Sequence, residues 1–173
     1  MKKTLIVVDM QNDFIDGALG TKEAQAIVPN VIKKITEYID NGDNVIFTRD
    51  THNTQYLETN EGKHLPVVHC VFGREGWEIP KEIDTDACKM FRHINKEQFG
   101  YVGWSRILND DDEIELIGLC TDICVVSNAL IIKALFPENN ITVDASCCAG
   151  VTPESHQAAL TTMKMCQINV IGE

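Results

Sequence analysis

The 173-residue chain is 44% apolar and carries 15 basic against 26 acidic side chains, a net charge of −11. A chain of this length buries roughly 70% of its unfolded surface, enough for one core, so a single domain over residues 1–173 is expected. The acid excess, with no dense Lys/Arg cluster, argues against nucleic acid and anionic membrane as partners.

The chain begins MKKTLIVVDMQND, where the apolar run stops at an acid. It is too short for a signal peptide and far short of the ~20 apolar residues of a membrane span, so a cytoplasmic protein is expected. The seven cysteines are an odd count, and Cys120, Cys124, Cys147 and Cys148 lie in or near apolar segments. In a reducing compartment they read as buried thiols with one reactive member, and not as a disulfide framework.

Taken in chain order, apolar β-branched runs predict strands at 4–8 (TLIVV), 44–49 (NVIFTR), 88–92 (CKMFR), 113–118 (EIELIG), 140–144 (NITVD) and 167–171 (QINVI). A helix is predicted from Glu23 to Asn41, where Ile27, Val28, Val31, Ile32, Ile35 and Ile39 recur at helical spacing and Gly42 supplies the stop. A second, almost wholly apolar, runs from Thr121 through Leu135. A third runs from Pro153 to Met165, with Thr152 as N-cap and proline in the first turn. Strands alternating with helices predict a parallel sheet covered on both faces. The one long irregular stretch, 51–82, is expected to carry function or short elements of its own.

In such a sheet, ligands bind beyond the carboxyl ends of the strands, near the point where strand order reverses. Strand one ends in Asp9, strand two in Asp50, and strand four leads into Cys120-Thr121-Asp122-Ile123-Cys124. Cys124 falls where a strand gives way to a helix, so unpaired backbone N–H groups and the helix dipole should lower its pKa and hold a developing oxyanion. The same position also suits a small apolar residue at a helix start, and Cys120 with Cys124 could form a helical disulfide. Half a metal site is disfavoured, since no second cysteine pair has ligand spacing.

A thiolate attacking an amide needs a group to move a proton to the leaving amine. His93 and His156 sit in no obvious place for it. Asp9, desolvated at a strand end, suits the role better, although it could instead be a turn residue for QNDFIDG. Lys96 would supply a fixed positive charge, and taken alone it reads as an ordinary solvated lysine. Asp50 and His52 point the same way along an extended segment, and Glu61 and His69 could return to the same place. Such a set suits zinc, iron(II) or manganese, with Glu58 and His64 as rival ligands.

Five segments together resemble the isochorismatase-like cysteine hydrolases, which include the nicotinamidases. They are LIVVDMQNDF at 5–14, FTRDTH at 47–52, HLPVVHC at 64–70, NKEQFG at 95–100 and GLCTDICV at 118–125, in the family's order and across nearly the whole chain. The resemblance implies a three-layer α/β/α fold with a six-stranded parallel sheet. It implies a catalytic set of Asp9, Lys96 and Cys124, with the amides of Cys120 and Cys124 as oxyanion hole beside a non-proline cis peptide between Leu119 and Cys120. It further implies a divalent metal on Asp50, His52, Glu61 and His69 that binds a pyridine nitrogen, no organic cofactor, and a homo-oligomer.

Two departures from the nicotinamidase pattern bear on the substrate. Pro66-Val67-Val68-His69 stands where many of those enzymes have Trp-Pro-Pro-His, and Asp50-Thr51-His52 where they have Asp-Trp-His. Phe14, Leu19 or Tyr101 is expected to supply the apolar wall instead. The expected activity is hydrolysis of a small amide, nicotinamide or a related C–N compound, through a thioester. The alternatives are another amide or carbamoyl substrate with the same three residues, an isochorismate vinyl ether, or a non-catalytic binding or thiol-sensor protein on the same fold.

Overall fold

The computed structural model describes residues 3–173. Strands β1 (Lys3–Val8), β2 (Asn44–Asp50), β3 (Arg92–Lys96), β4 (Glu113–Leu119), β5 (Ile141–Ala149) and β6 (Asn169–Ile171) form one sheet in the order β3-β2-β1-β4-β5-β6. Every pairing is parallel. The helices are α1 (Asn12–Ile15), α2 (Lys22–Asp40), α3 (Asn60–His64), α4 (Val126–Leu135) and α5 (Pro153–Met165).

Successive strand residues face opposite sides, so each strand feeds two cores. Leu5, Val7, Val45 and Phe47 pack with Ala24, Ile27, Val31 and Ile35 of α2. Ile6, Val8, Ile46 and Leu116 pack on the other side with Ala129 and Ile132 of α4 and Leu160 and Met163 of α5. Leu5 through Val8 have no exposed surface, which explains why β1 reads as an unbroken apolar run rather than an alternating one. This is the three-layer arrangement expected from the sequence. No helix among the described residues is long and apolar enough to cross a membrane.

The helix ends follow local chemistry. Thr21 caps α2, its hydroxyl accepting from the Ala24 amide at 3.0 Å, and Gly42 leaves the helix at φ +73°. Thr152 and Ser155 close a reciprocal capping box on α5 with Pro153 at its first turn.

Three predicted strands shift. Residues 88–92 do not form one: Asp86–Met90 is a 3-10 turn with Cys88 buried inside it, and β3 begins only at Arg92. As an edge strand its exposure alternates, so its sequence RHINK lacks the apolar run that marks its neighbours. β5 continues to Ala149, past a register shift opposite Leu116 and Gly118. β6 starts late because Gln167 takes the left-handed conformation, φ +64°. Within 51–82 lie 3-10 turns at Tyr56–Glu58 and Glu75–Trp77 as well as α3, and a parallel bridge from His52 to Val71 fixes the segment to the rim.

One polar cluster ties α2 to the sheet. Lys34 Nζ lies 2.7 Å from Glu115 Oε1 and 2.9 Å from Asp144 Oδ2, while the Tyr38 hydroxyl donates to Glu115 Oε2 at 2.7 Å. Burial alone would raise the Asp144 carboxyl, but hydrogen bonds from Ser146 and the charge of Lys34 outweigh it and hold its pKa below the ordinary value. A depressed carboxylate pKa contributes stability above the unfolded value, near 3.9, and loses it as pH falls through the folded value. Lys34→Met should therefore destabilise the protein at pH 7 by about 2 kcal/mol, since buried Asp144 and the largely buried Glu115 lose their cation. The difference in melting temperature from wild type should hold down to about pH 4 and narrow as the pH is lowered further, through the depressed folded value; a gap that stays constant below about pH 4 would refute the assignment.

Candidate active site

Strand order reverses between β1 and β4, and the chain ends that leave this point carry the polar groups. Asp9 follows β1, Asp50 ends β2, Lys96 ends β3, and Cys124 lies in a π-helical turn, Thr121–Val125, between β4 and α4. Single π turns inside helical segments are frequent at functional sites. The peptide between Leu119 and Cys120 is cis, as the family resemblance implied.

Asp9 takes φ +47°, a conformation an aspartate tolerates better than most residues. Its amide donates to the Thr48 carbonyl at 3.2 Å, and the Thr48 hydroxyl donates to Asp9 Oδ1 at 2.6 Å. Lys96 Nζ lies 2.6 Å from Asp9 Oδ2 and 3.6 Å from Cys124 Sγ, and donates to the Gln98 carbonyl at 3.1 Å. The contact with Oδ2 is an ion pair rather than an aligned hydrogen bond. Among the described residues Oδ2 makes no aligned hydrogen bond and has the Lys96 ammonium as its close partner.

The electrostatics follow from burial. Asp9 and Lys96 are at most 2% exposed and Cys124 5%. Burial and the nearby Asp9 push the Cys124 thiol well above its ordinary pKa, against the pull of Lys96. The sequence led us to expect a depressed thiol; desolvation beside a carboxylate overrides the amides of the first turn. Burial also raises Asp9, with Lys96 opposing and Asp50 adding to the rise. For Lys96 burial works against the charged form, but Asp9, Cys124 and Asp50 outweigh it and keep the ammonium charged. The centre thus sets a thiol that burial keeps protonated beside a buried ion pair.

A second cluster lies beside the first. Ligand-type atoms of Asp50, His52, Glu61 and His69 all fall within 4.8 Å of one another. His52 Nε2 is 2.9 Å from Asp50 Oδ2 and 3.6 Å from Glu61 Oε1, and His69 Nε2 is 3.5 Å and 3.7 Å from the same two atoms. His69 Nδ1 lies 2.7 Å from the Val67 carbonyl, a contact that assigns the proton to Nδ1 and turns the Nε2 lone pair inward. Two imidazoles and two carboxylates converging in this way fit a divalent first-row cation. Gly62 lets α3 come close enough to deliver Glu61, because a Cβ there would sit 2.1 Å from the Tyr56 carbonyl oxygen. The rival ligands stay out: Glu58 is exposed, and His64 Nδ1 faces the Asn60 carbonyl at 2.8 Å.

Both clusters open into a cavity of about 890 Å³ whose wall includes Phe14, Leu19, Cys120, Ile123, Cys124 and Val151. Two of the three expected wall residues are therefore present. Tyr101 is not: its amide is held by Asn128 Oδ1 at 2.8 Å and its ring packs edge-on against Trp104.

Several supporting residues escaped the sequence reading. Gln11 donates to the Asp50 and Trp77 carbonyls at 2.8 and 2.9 Å and accepts from the Asp50 amide at 2.7 Å. Asn128 donates to the Cys124 carbonyl at 2.8 Å, and its Oδ1 also accepts from the Trp104 indole at 2.9 Å. The Thr121 hydroxyl and His156 Nδ1 are 2.7 Å apart and join the π turn to α5. Gln11 lies inside the motif LIVVDMQNDF and Thr121 inside GLCTDICV, and those placements were their only signal, while Asn128 left none.

This constellation on this fold places the chain among known proteins. The isochorismatase domain matches residues 3–172, and the chain belongs to that family. It is 25% identical over 186 residues to a nicotinamidase/pyrazinamidase of Mycobacterium tuberculosis, covering 98% of each protein. It is 30% identical over 176 residues to a probable inactive nicotinamidase of Arabidopsis thaliana, covering 92% of this chain and 87% of that one. The crystal structure of a Pyrococcus horikoshii pyrazinamidase in complex with zinc superposes with a TM-score of 0.84 at 28% identity, covering 100% of both chains.

Proposed function

We propose that this chain is a cytoplasmic, single-domain cysteine amidohydrolase that cleaves the C–N bond of a small carboxamide, nicotinamide or a close relative, and releases ammonia. The observation that carries this reading is that the Lys96 ammonium bridges Asp9 Oδ2, at 2.6 Å, and the Cys124 sulfur, at 3.6 Å, with Cys124 on the wall of an open cavity. The names of the mycobacterial and archaeal relatives support it. Asp9, Lys96 and Cys124 are all present here, with Lys96 against both of the others, which speaks for an active chain.

In the proposed cycle Cys124 Sγ attacks the amide carbon as its proton passes to Asp9 Oδ2. The oxyanion is met by the amides of Cys120 and Cys124 at the start of the π turn. Asp9 returns the proton to the departing nitrogen, ammonia leaves, and a thioester remains. A water deprotonated by Asp9 then attacks the thioester, releasing the acid and restoring the thiol. Lys96 stays charged throughout, steadying the sulfur and Asp9 in turn. Asp50, His52, Glu61 and His69 would hold a divalent cation, zinc, iron(II) or manganese, which when bound supplies a Lewis-acid anchor for a ring nitrogen of the substrate.

The test is ammonia release from a panel led by nicotinamide and pyrazinamide, with and without a chelator. Nicotinamide should be hydrolysed, and chelation should cut the rate by more than about 100-fold, recovering on addition of zinc. A metal-loaded protein that hydrolyses no carboxamide would end this reading. It would return attention to a carbamoyl substrate, a vinyl ether or a binding role.

A further inference from the structure

The cavity is far larger than a single-ring amide requires. Its volume is about 890 Å³, whereas a ring amide of nine heavy atoms displaces on the order of five waters at about 30 Å³ each. Leu65, Phe99 and Val151 line the same cavity, and they are 37%, 46% and 51% exposed, among the large apolar side chains that folding leaves in water. Exposed apolar side chains that line one cavity mark a binding surface more often than chance.

Charge narrows the occupant. The titratable side chains on the wall are the four of the candidate metal cluster, the two cysteines, His64 and Glu97. Glu97 is exposed, His64 has turned one ring nitrogen to the backbone, and neither lysine nor arginine lines the cavity. Away from the candidate metal cluster and His64, no side chain on the wall would pair with a phosphate or carboxylate on the substrate.

We propose that the natural substrate is a carboxamide carrying an uncharged apolar group beyond the reacting ring, seated against Leu65, Phe99 and Val151. This rests on the amidohydrolase reading for its chemistry and adds the specificity. Burying the group would also cover the three side chains, so each gains from the other.

The experiment compares nicotinamide with its 5-butyl and 5-phenyl derivatives on the zinc-loaded enzyme. In parallel, calorimetry measures their binding to the Cys124→Ala variant, which does not depend on turnover. Each buried methylene is worth up to about fourfold, so the butyl derivative should exceed nicotinamide in kcat/KM by at least about tenfold. It should also bind the variant correspondingly tighter, and Phe99→Ser should shrink both ratios. Nicotinamide hydrolysed with no gain from either substituent overturns the proposal and leaves the hydrolase reading intact; a second copy of the chain covering the wall would give that same result. If no amide turns over, binding decides: a gain with chain length supports the apolar wall although the hydrolase reading has failed, and its absence overturns both.

Discussion

Replacing Cys124 with alanine should lower amide turnover by at least about 10⁴-fold, because every bond change in the proposed cycle passes through its sulfur. The loss should be purely chemical. The side chain is small and its neighbours Asp9 and Lys96 keep each other, so the unfolding free energy should change by no more than about 1 kcal/mol. Iodoacetamide mapping by mass spectrometry gives a second readout: the peptide carrying residue 124 should take up label in the wild type once the pH is high enough to ionise a raised thiol. A variant retaining a hundredth of the activity would remove Cys124 as nucleophile.

Asp9→Asn should fail in two ways at once. Removing the base should cost about 10²–10⁴-fold in kcat. Neutralising one half of a buried ion pair should also destabilise the fold by about 3 kcal/mol, since among the described residues the Lys96 ammonium keeps only Asp50, at 3.8 Å, as a carboxylate neighbour. The double variant Asp9→Asn with Lys96→Met removes the stranded charge. It should regain part of the stability measured by urea unfolding and none of the activity. If the single variant is as stable as wild type, the two side chains do not depend on each other as the geometry demands.

How much of this was readable beforehand depends on what each residue's role rests upon. The central strands are legible because helices cover both sheet faces and force near-continuous apolar runs such as LIVV at 5–8. β3 was misplaced because an edge strand is released from that demand, while the apolar residues just before it serve a 3-10 turn over the core. Misplacing it hid the fact that Lys96 is a strand end like Asp9 and Asp50, and so belongs to the same rim. Cys124 and the Asp50, His52, Glu61, His69 cluster were legible from position and type.

Their partners were not. Thr48 reaches Asp9 across 39 residues of chain, and Asn128 serves Cys124, Tyr101 and Trp104 with one side chain. A buried threonine or asparagine looks the same in sequence whether it holds a nucleophile or fills a turn. The direction of the thiol shift went astray for a related reason: a helix start can be read from sequence, but the depth at which it is buried cannot.

The grip of Gln11 on Asp50 has a consequence for the sheet itself. β1 leaves its neighbour beyond the Asp9 amide, where the backbone swings into the left-handed region, yet Asp50 must remain extended to present its carboxylate. A glutamine side chain ends in a carboxamide, a peptide unit in miniature, with one donor and one acceptor aimed at the N–H and C=O of Asp50. It stands in for the missing stretch of β1 and prolongs the ladder by one rung with atoms that are not main chain. Glutamate there would offer only acceptors, leave the Asp50 carbonyl without its donor, and let the strand end, with its carboxylate, swing free.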